Sequence, residues 1–235
     1  MGVDNVDFDA CRDLDIPITN TPNMFGKEVA DMAIGYLIAL ARETFQIDQR
    51  IRKGEWPKPK GISLSGKTVA LVGFGDIGKN TAKRLLAADM NVIAYDPSAQ
   101  LSETLSDVEL VDWPDRIDEA DFIVVNCSLT QSSHHMVNAD VFSRAKDSVR
   151  IVNIGRGLVI DEQALINALQ SGKVYSAALD VFEEEPLPKN SYLREHPRCI
   201  FGSHNASNTS DAVERTSKIA IEKLFGFLEI VKKNV

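Results

Sequence analysis

What this sequence has little of narrows it first. Its 235 residues include three cysteines, Cys11, Cys127 and Cys199, widely spaced and never as C-x-x-C. No disulfide framework fits that number and spacing, and the thiols read as reduced ones in a cytoplasmic protein. Positive charge is short: 26 Lys and Arg against 34 Asp and Glu leave a net charge of -8. Nucleic-acid and membrane-surface partners need a basic face, so neither is expected. Small anions need only local positive potential and stay open. Long apolar runs are missing. The most apolar stretch, "VADMAIGYLIALA" from Val29 to Ala41, carries Asp31 and is shorter than the roughly 20 residues a membrane helix takes. The opening "MGVDNVDFDA" is acidic and lacks an apolar core, so no secretory signal is expected there. Repeats, low-complexity tracts and metal-binding clusters are not evident.

What is present is a regular alternation of strand-like and helix-like segments. "TVALV" (Thr68 to Val72), "NVIAY" (Asn91 to Tyr95), "DFIVVNC" (Asp121 to Cys127), "RIVNI" (Arg150 to Ile154) and "YSAALDVF" (Tyr175 to Phe182) are short β-branched runs. Between them lie helical patterns at Ile77 to Ala88, Asn138 to Ala145 and Asp161 to Ser171, with Asn138 as an N-cap and Gly172 as a C-cap. Such alternation predicts βαβ crossovers and an α/β fold built on a doubly wound parallel sheet. Residues 1 to about 45, a short lead-in and then an apolar helix, and the C-terminal stretch fall outside it. Val29 to Ala41 is apolar nearly all round, which predicts a helix buried on several sides at a domain junction or subunit interface. Ala212 to Val231 reads as a long amphipathic helix, and Arg52 to Lys67 as a Pro/Gly-rich connection.

The first strand runs into "VGFGDIGKNTAKRL", where Gly73-x-Gly75-x-x-Gly78 closes a strand and opens a helix. In that context the glycines predict a dinucleotide loop, with a tight turn at Gly73, close approach of backbone to a pyrophosphate at Gly75, and close helix–strand packing at Gly78. Asp76 and Ile77 would present the helix N-terminus to the phosphates. Asp96 ends the second strand, where an acid binds ribose hydroxyls and repels a 2′-phosphate, so NAD is the expected cofactor.

A nicotinamide cofactor still needs a proton donor and a substrate anchor at the carboxyl ends of the strands. Arg156 stands between glycines in "NIGRGLV", Glu185 follows "ALDVFEE", and His204 follows "CIFGS". Across nearly its whole length the sequence resembles the D-isomer-specific 2-hydroxyacid dehydrogenases, which include phosphoglycerate dehydrogenase. "VADMAIGYLIALAR" resembles that family's domain-linking helix, "VGFGDIGKNTAKRL" and "VIAYDP" its cofactor loop and ribose acid, and "VNIGRGLVIDEQAL", "AALDVFEEEPLP" and "SHNASNT" its catalytic segments in order.

The resemblance implies a Rossmann domain with part of a flavodoxin-like substrate domain. Residues 1–45 would be a remnant of that domain plus the linking helix, 46–206 the NAD-binding domain, and 207–235 a helix returning to the substrate domain. Gly2 and Val3 would end an anion loop. Arg156 would hold the substrate carboxylate, with the glycines clearing room for its fork; His204 would be the general acid; Glu185 would orient His204; Asp180 would sit near the nicotinamide carboxamide. The implied partner is a small 2-hydroxy or 2-keto acid, and a homodimer is expected. Where that family has glycine after the histidine, this sequence has Asn205, Ala206, Ser207 and Asn208. A non-catalytic NAD-binding module is the alternative. A formate dehydrogenase fits less well, because that branch has glutamine where Glu185 stands. Glu183, Glu184 and His196 are expected to be solvated, His134 and His135 to make surface or loop contacts, and Trp56 and Trp113 to pack.

Overall fold

Local signals set the first helices. In the computed structural model, which describes residue 3 and residues 6–233, Asp7 accepts the Ala10 N–H and opens α1 (Phe8–Asp13). α2 (Gly26–Arg42) stops at Glu43, whose left-handed backbone (φ 54°) lets it cap α2 and start α3 (Thr44–Arg52).

Seven short strands follow: β1 (Thr68–Val72), β2 (Asn91–Tyr95), β3 (Val108–Leu110), β4 (Phe122–Val125), β5 (Val149–Asn153), β6 (Val174–Leu179) and β7 (Cys199–Phe201). Between and after them come α4 (Asp76–Ala87), α5 (Ala139–Arg144), α6 (Glu162–Ser171) and α7 (Ser210–Lys233). All strands pair in parallel, in the order β3-β2-β1-β4-β5-β6-β7. A parallel sheet is covered on both faces, so its strands read as continuous apolar runs, and β4 "FIVV" and β5 "VRIVN" are buried at every position. One face packs under α5 and α6 around Ile93, Val125, Phe142 and Leu165. The other packs under α2 and α4 around Leu37, Leu40, Leu85 and Phe122. The helix caps follow the sequence: Asn138 accepts from Asp140 and Val141, Asp161 accepts from Ala164, and Gly172 (φ 81°) ends α6.

At the amino ends of the strands a polar cluster gathers around one ring. The Arg150 guanidinium, buried, lies 4.7 Å from the Tyr175 ring centre and that of Arg198 lies 4.4 Å from it. The Tyr175 hydroxyl donates to Glu43 at 2.8 Å, which fastens the α2–α3 joint to β6.

Several expectations change. The edge strand β3 is too short to leave an alternating pattern. Trp56 is 78% exposed rather than packed. His196 is buried rather than solvated, held at the end of a 3-10 turn with its Nδ1 3.5 Å from the Cys199 sulfur. Burial and the Arg198 charge lower its pKa. Outside the sheet body, Leu14 and Ile16 before α2, and Ile221, Leu224 and Phe225 on α7, present apolar surface to solvent. α7 is tied back by Arg215 to Glu28 (2.9 Å) and by Lys223 to the Asn20 carbonyl (2.6 Å). Among the described residues no helix is long and apolar enough to cross a membrane.

Candidate active site

The chain runs outward through β1, β2 and β3, then crosses back to β4, so the crevice between the carboxyl ends of β1 and β4 is the topological switch point. A cleft of about 960 Å³ opens there. Gly73, Gly75, Asp76, Ile77, Gly78, Asp96, Arg156, Asp180 and His204 line it, while Glu185 reaches it through His204. Val3 lines it too; Gly2 lies outside the described residues.

The glycine loop is fixed from below. Gly73 (φ 97°) donates its N–H to Tyr95 O at 2.9 Å, and a side chain there would meet the Cys127 backbone. A Cβ on Gly78 would come within 2.3 Å of Gly73 O, so helix and strand pack at a distance only glycine allows. A Cβ on Gly75 meets nothing within 4 Å: that position faces the open cleft. Gly75 is also the N-cap of α4 and makes no side-chain cap, which leaves the first amides of the helix available to an anion.

Asp96 accepts from Phe74 N at 2.8 Å and from both the N–H and hydroxyl of Ser98. Burial pushes its carboxyl up, but these donors and Lys79 outweigh burial and hold it below the ordinary range, so it is a carboxylate at neutral pH. An open approach at Gly75, the start of α4 facing the cleft at Asp76 and Ile77, and an ionised acid at the end of β2 together fit a dinucleotide.

Behind the loop stands a residue that sequence reasoning passed over. With its amide nitrogen turned toward the loop, Asn126 donates to the carbonyls of Val72 and Gly73 and accepts from Gly78 N at 3.3 Å. A polar residue directly after the buried run "FIVV", at the switch point, was the available signal. Trp113 packs as expected, its ring edge-on to Tyr95 at 5.0 Å, and it also lines the cleft; Val111, which the sequence does not single out, lines it too. Tyr36 on α2 was likewise passed over: burial and then the Asp180 charge push its phenol up to about 12.

Arg156 follows β5 and donates to Gly155 O at 2.8 Å. Asn153 shapes its turn, accepting from Gly155 N and donating to Arg156 O at 3.0 Å. The flanking glycines serve a different purpose from the one expected. A Cβ on Gly155 would lie 2.8 Å from Cys127 O, and one on Gly157 1.8 Å from Phe182 O. They make room for neighbouring backbone, not for the arginine fork.

Glu185 and His204 come from the loops after β6 and β7. Glu185 Oε1 accepts from Phe182 N at 3.0 Å, and Oε2 lies 2.8 Å from His204 Nδ1. A carboxylate only accepts, so Nδ1 carries the proton and Nε2 is the nitrogen left for the cleft. His204 has left-handed backbone (φ 57°), secured by its N–H to Asp180 O at 2.7 Å. The buried Asp180 carboxylate completes the turn, accepting from Asn205 N (3.1 Å) and Ala206 N (2.9 Å). A Cβ on Gly202 would be 1.9 Å from that carboxylate. Both Asp180 oxygens are thus committed to the histidine loop.

Residues 34–206 match the model of the D-isomer specific 2-hydroxyacid dehydrogenase NAD-binding domain. The chain belongs to the D-isomer specific 2-hydroxyacid dehydrogenase family. It is 40% identical to a hydroxypyruvate reductase of Thermotoga maritima, over 98% of this chain and 76% of that one. It is 37% identical to chloroplastic D-3-phosphoglycerate dehydrogenase 2 of Arabidopsis thaliana, over 97% of this chain but only 37% of that one. Among solved structures, the D-lactate dehydrogenase of Aquifex aeolicus complexed with NAD and lactic acid superposes with a TM-score of 0.88 at 26% identity, covering 97% of this chain and 74% of that one. The cofactor of this dehydrogenase domain is NAD.

One expectation about a neighbouring residue also changes. Glu183 is engaged rather than merely solvated: it lies 2.8 Å from His135 Nε2 and accepts from Glu162 N at 2.9 Å. Burial pushes the Cys127 thiol, on the cleft wall, up to about 11, so it stays protonated at neutral pH.

Proposed function

We propose that this protein interconverts a small D-2-hydroxy acid and its 2-keto acid, using NAD. The observation that carries this reading is the 2.8 Å contact between His204 and Glu185 on the cleft that the glycine loop and Arg156 also line. When bound, the nicotinamide supplies or takes the hydride. Arg156 offers a planar fork to the substrate carboxylate and adjacent oxygen. The His204 imidazolium gives its Nε2 proton to the keto oxygen, and the Nδ1–H stays with Glu185. In the reverse direction the neutral Nε2 takes the hydroxyl proton. Asp96 selects against a 2′-phosphate by charge, and Asp180 holds the His204 loop beside the nicotinamide end.

Within this reading residues 46–206 are the cofactor domain, and 1–45 and 207–235 belong to a second unit. The names of the relatives point to hydroxypyruvate and phosphohydroxypyruvate as first substrates to try, with glyoxylate beside them as the smallest 2-keto acid of the class. The protein works in the cytoplasm as a homodimer; sedimentation at micromolar concentration tests the dimer.

The deciding experiment is His204→Asn. NADH affinity stays at the wild-type value while keto-acid reduction falls by about 10²–10⁴-fold. Loss of NADH binding in step with turnover removes His204 from the acid role. A wild-type chain that binds NADH and reduces none of the three acids transfers the reading to a dinucleotide-binding module.

A further inference from the structure

His134 and His135 make the loop contacts expected of them, and the stretch that carries them, "SSHHMVN", holds a residue with an uncommon backbone. His135 has left-handed φ (50°), rare for a non-glycine residue. Its N–H donates to Leu158 O at 2.8 Å, which ties the β4–α5 loop to the turn after Arg156. Its ring lies 4.1 Å from that of His134, and its Nε2, closed off from solvent, is 2.8 Å from Glu183 Oε1, in packing contact with it but out of hydrogen-bond alignment.

Glu183 and Glu162 hold each other reciprocally: Glu162 N donates to Glu183 Oε1 at 2.9 Å and Glu183 N to Glu162 Oε2 at 3.4 Å. Burial, then the charges of Glu183 and Glu184, push the Glu162 carboxyl up. Of this pair it is Glu183 that the His135 ring meets. The same Glu183 is two residues from Glu185 and adjacent to Phe182, whose N–H Glu185 accepts and whose carbonyl leaves no space for a side chain on Gly157. Three loops meet here. One carries Ser132, Ser133 and Met136 of the cleft wall, one Arg156, and one Glu185.

Resting on the dehydrogenase reading above, we propose that His135 is a positioning residue: through Glu183 it locks the three loops together and holds Glu185 in reach of His204. It touches no reacting atom. It sets where the carboxylate of the proton-donor pair sits.

The test uses the whole chain, NADH and glyoxylate, with His135→Ala, Glu183→Gln and the pair combined. Each single variant lowers kcat by about tenfold with KM for NADH unchanged, and the combined variant is no worse than either, as expected of residues acting as one unit. In both single variants the imidazole C–H NMR signal of His204 moves. An unmoved His204 signal, a wild-type kcat or strictly additive losses overturn the proposal. Should the wild-type chain fail to reduce glyoxylate or its larger analogues, the function assigned above falls, and the His204 signal alone decides the brace: moved, it stands; unmoved, it fails.

Discussion

The two ends of one sheet handle polar groups in opposite ways. At the amino ends, Arg150 and Arg198 stack near Tyr175 and the tyrosine hydroxyl meets Glu43, so charge is folded inward. At the carboxyl ends, Asp96, Asp180, Glu185 and Asn126 are engaged by loop backbone, with Ser98 and His204 completing Asp96 and Glu185, and Arg156 and His204 line an open cleft. The difference shows that a site is made less by gathering polar residues than by how the surrounding ones are committed. Residues that hold loops leave the reacting groups to face solvent. Residues that hold each other leave nothing for a ligand.

Breaking that contrast at the cleft has the largest expected effect. Gly202→Ala drives a methyl group into the Asp180 carboxylate and displaces the turn that carries His204. Turnover falls by about 100-fold and stability by about 2 kcal/mol, read by steady-state kinetics and urea unfolding. Turnover within a factor of two of wild type would mean the Asp180 turn does not set the histidine.

Asn126→Ala is milder, because it frees the glycine loop without touching the acid. NADH affinity drops by about tenfold, roughly 1.4 kcal/mol, with kcat at saturating cofactor preserved. Fluorescence titration measures it, and unchanged affinity would remove Asn126 from the loop's support. The smallest effect sharpens the other side. Tyr175→Phe breaks the bond to Glu43 at the amino ends and costs about 1 kcal/mol of stability, with both KM values and kcat untouched. A kinetic change there would show that the two ends are not separate.

Much of this was legible because parallel strands buried on both faces leave unbroken β-branched runs, as "TVALV" and "FIVVN" do. The glycine spacing and Asp96 pointed to the cofactor for the same local reason: strand, turn and acid are neighbours in sequence. What escaped depends on distance along the chain. His196 stands beside a proline, a setting that reads as solvated, yet its turn packs it inward against Cys199. The glycines around Arg156 are answered by Cys127 and Phe182, far from them in sequence. His135 meets Glu183 across 48 positions through a backbone conformation that residue type does not announce. Trp56, expected to pack, lies in the Pro/Gly-rich connection, which leaves it at the surface.

The backbone seams between strand exits have one more consequence. Gly73 abuts Cys127, Gly155 meets the Cys127 carbonyl, Gly157 meets Phe182, and His204 docks on Asp180. Each seam joins segments brought together only by a finished crossover, so the cleft has no early, locally formed version. A chain with its helices formed but these seams still open has no complete cleft to offer a cofactor. For this chain a ligand-binding signal is therefore a clock for the end of folding, not for its beginning.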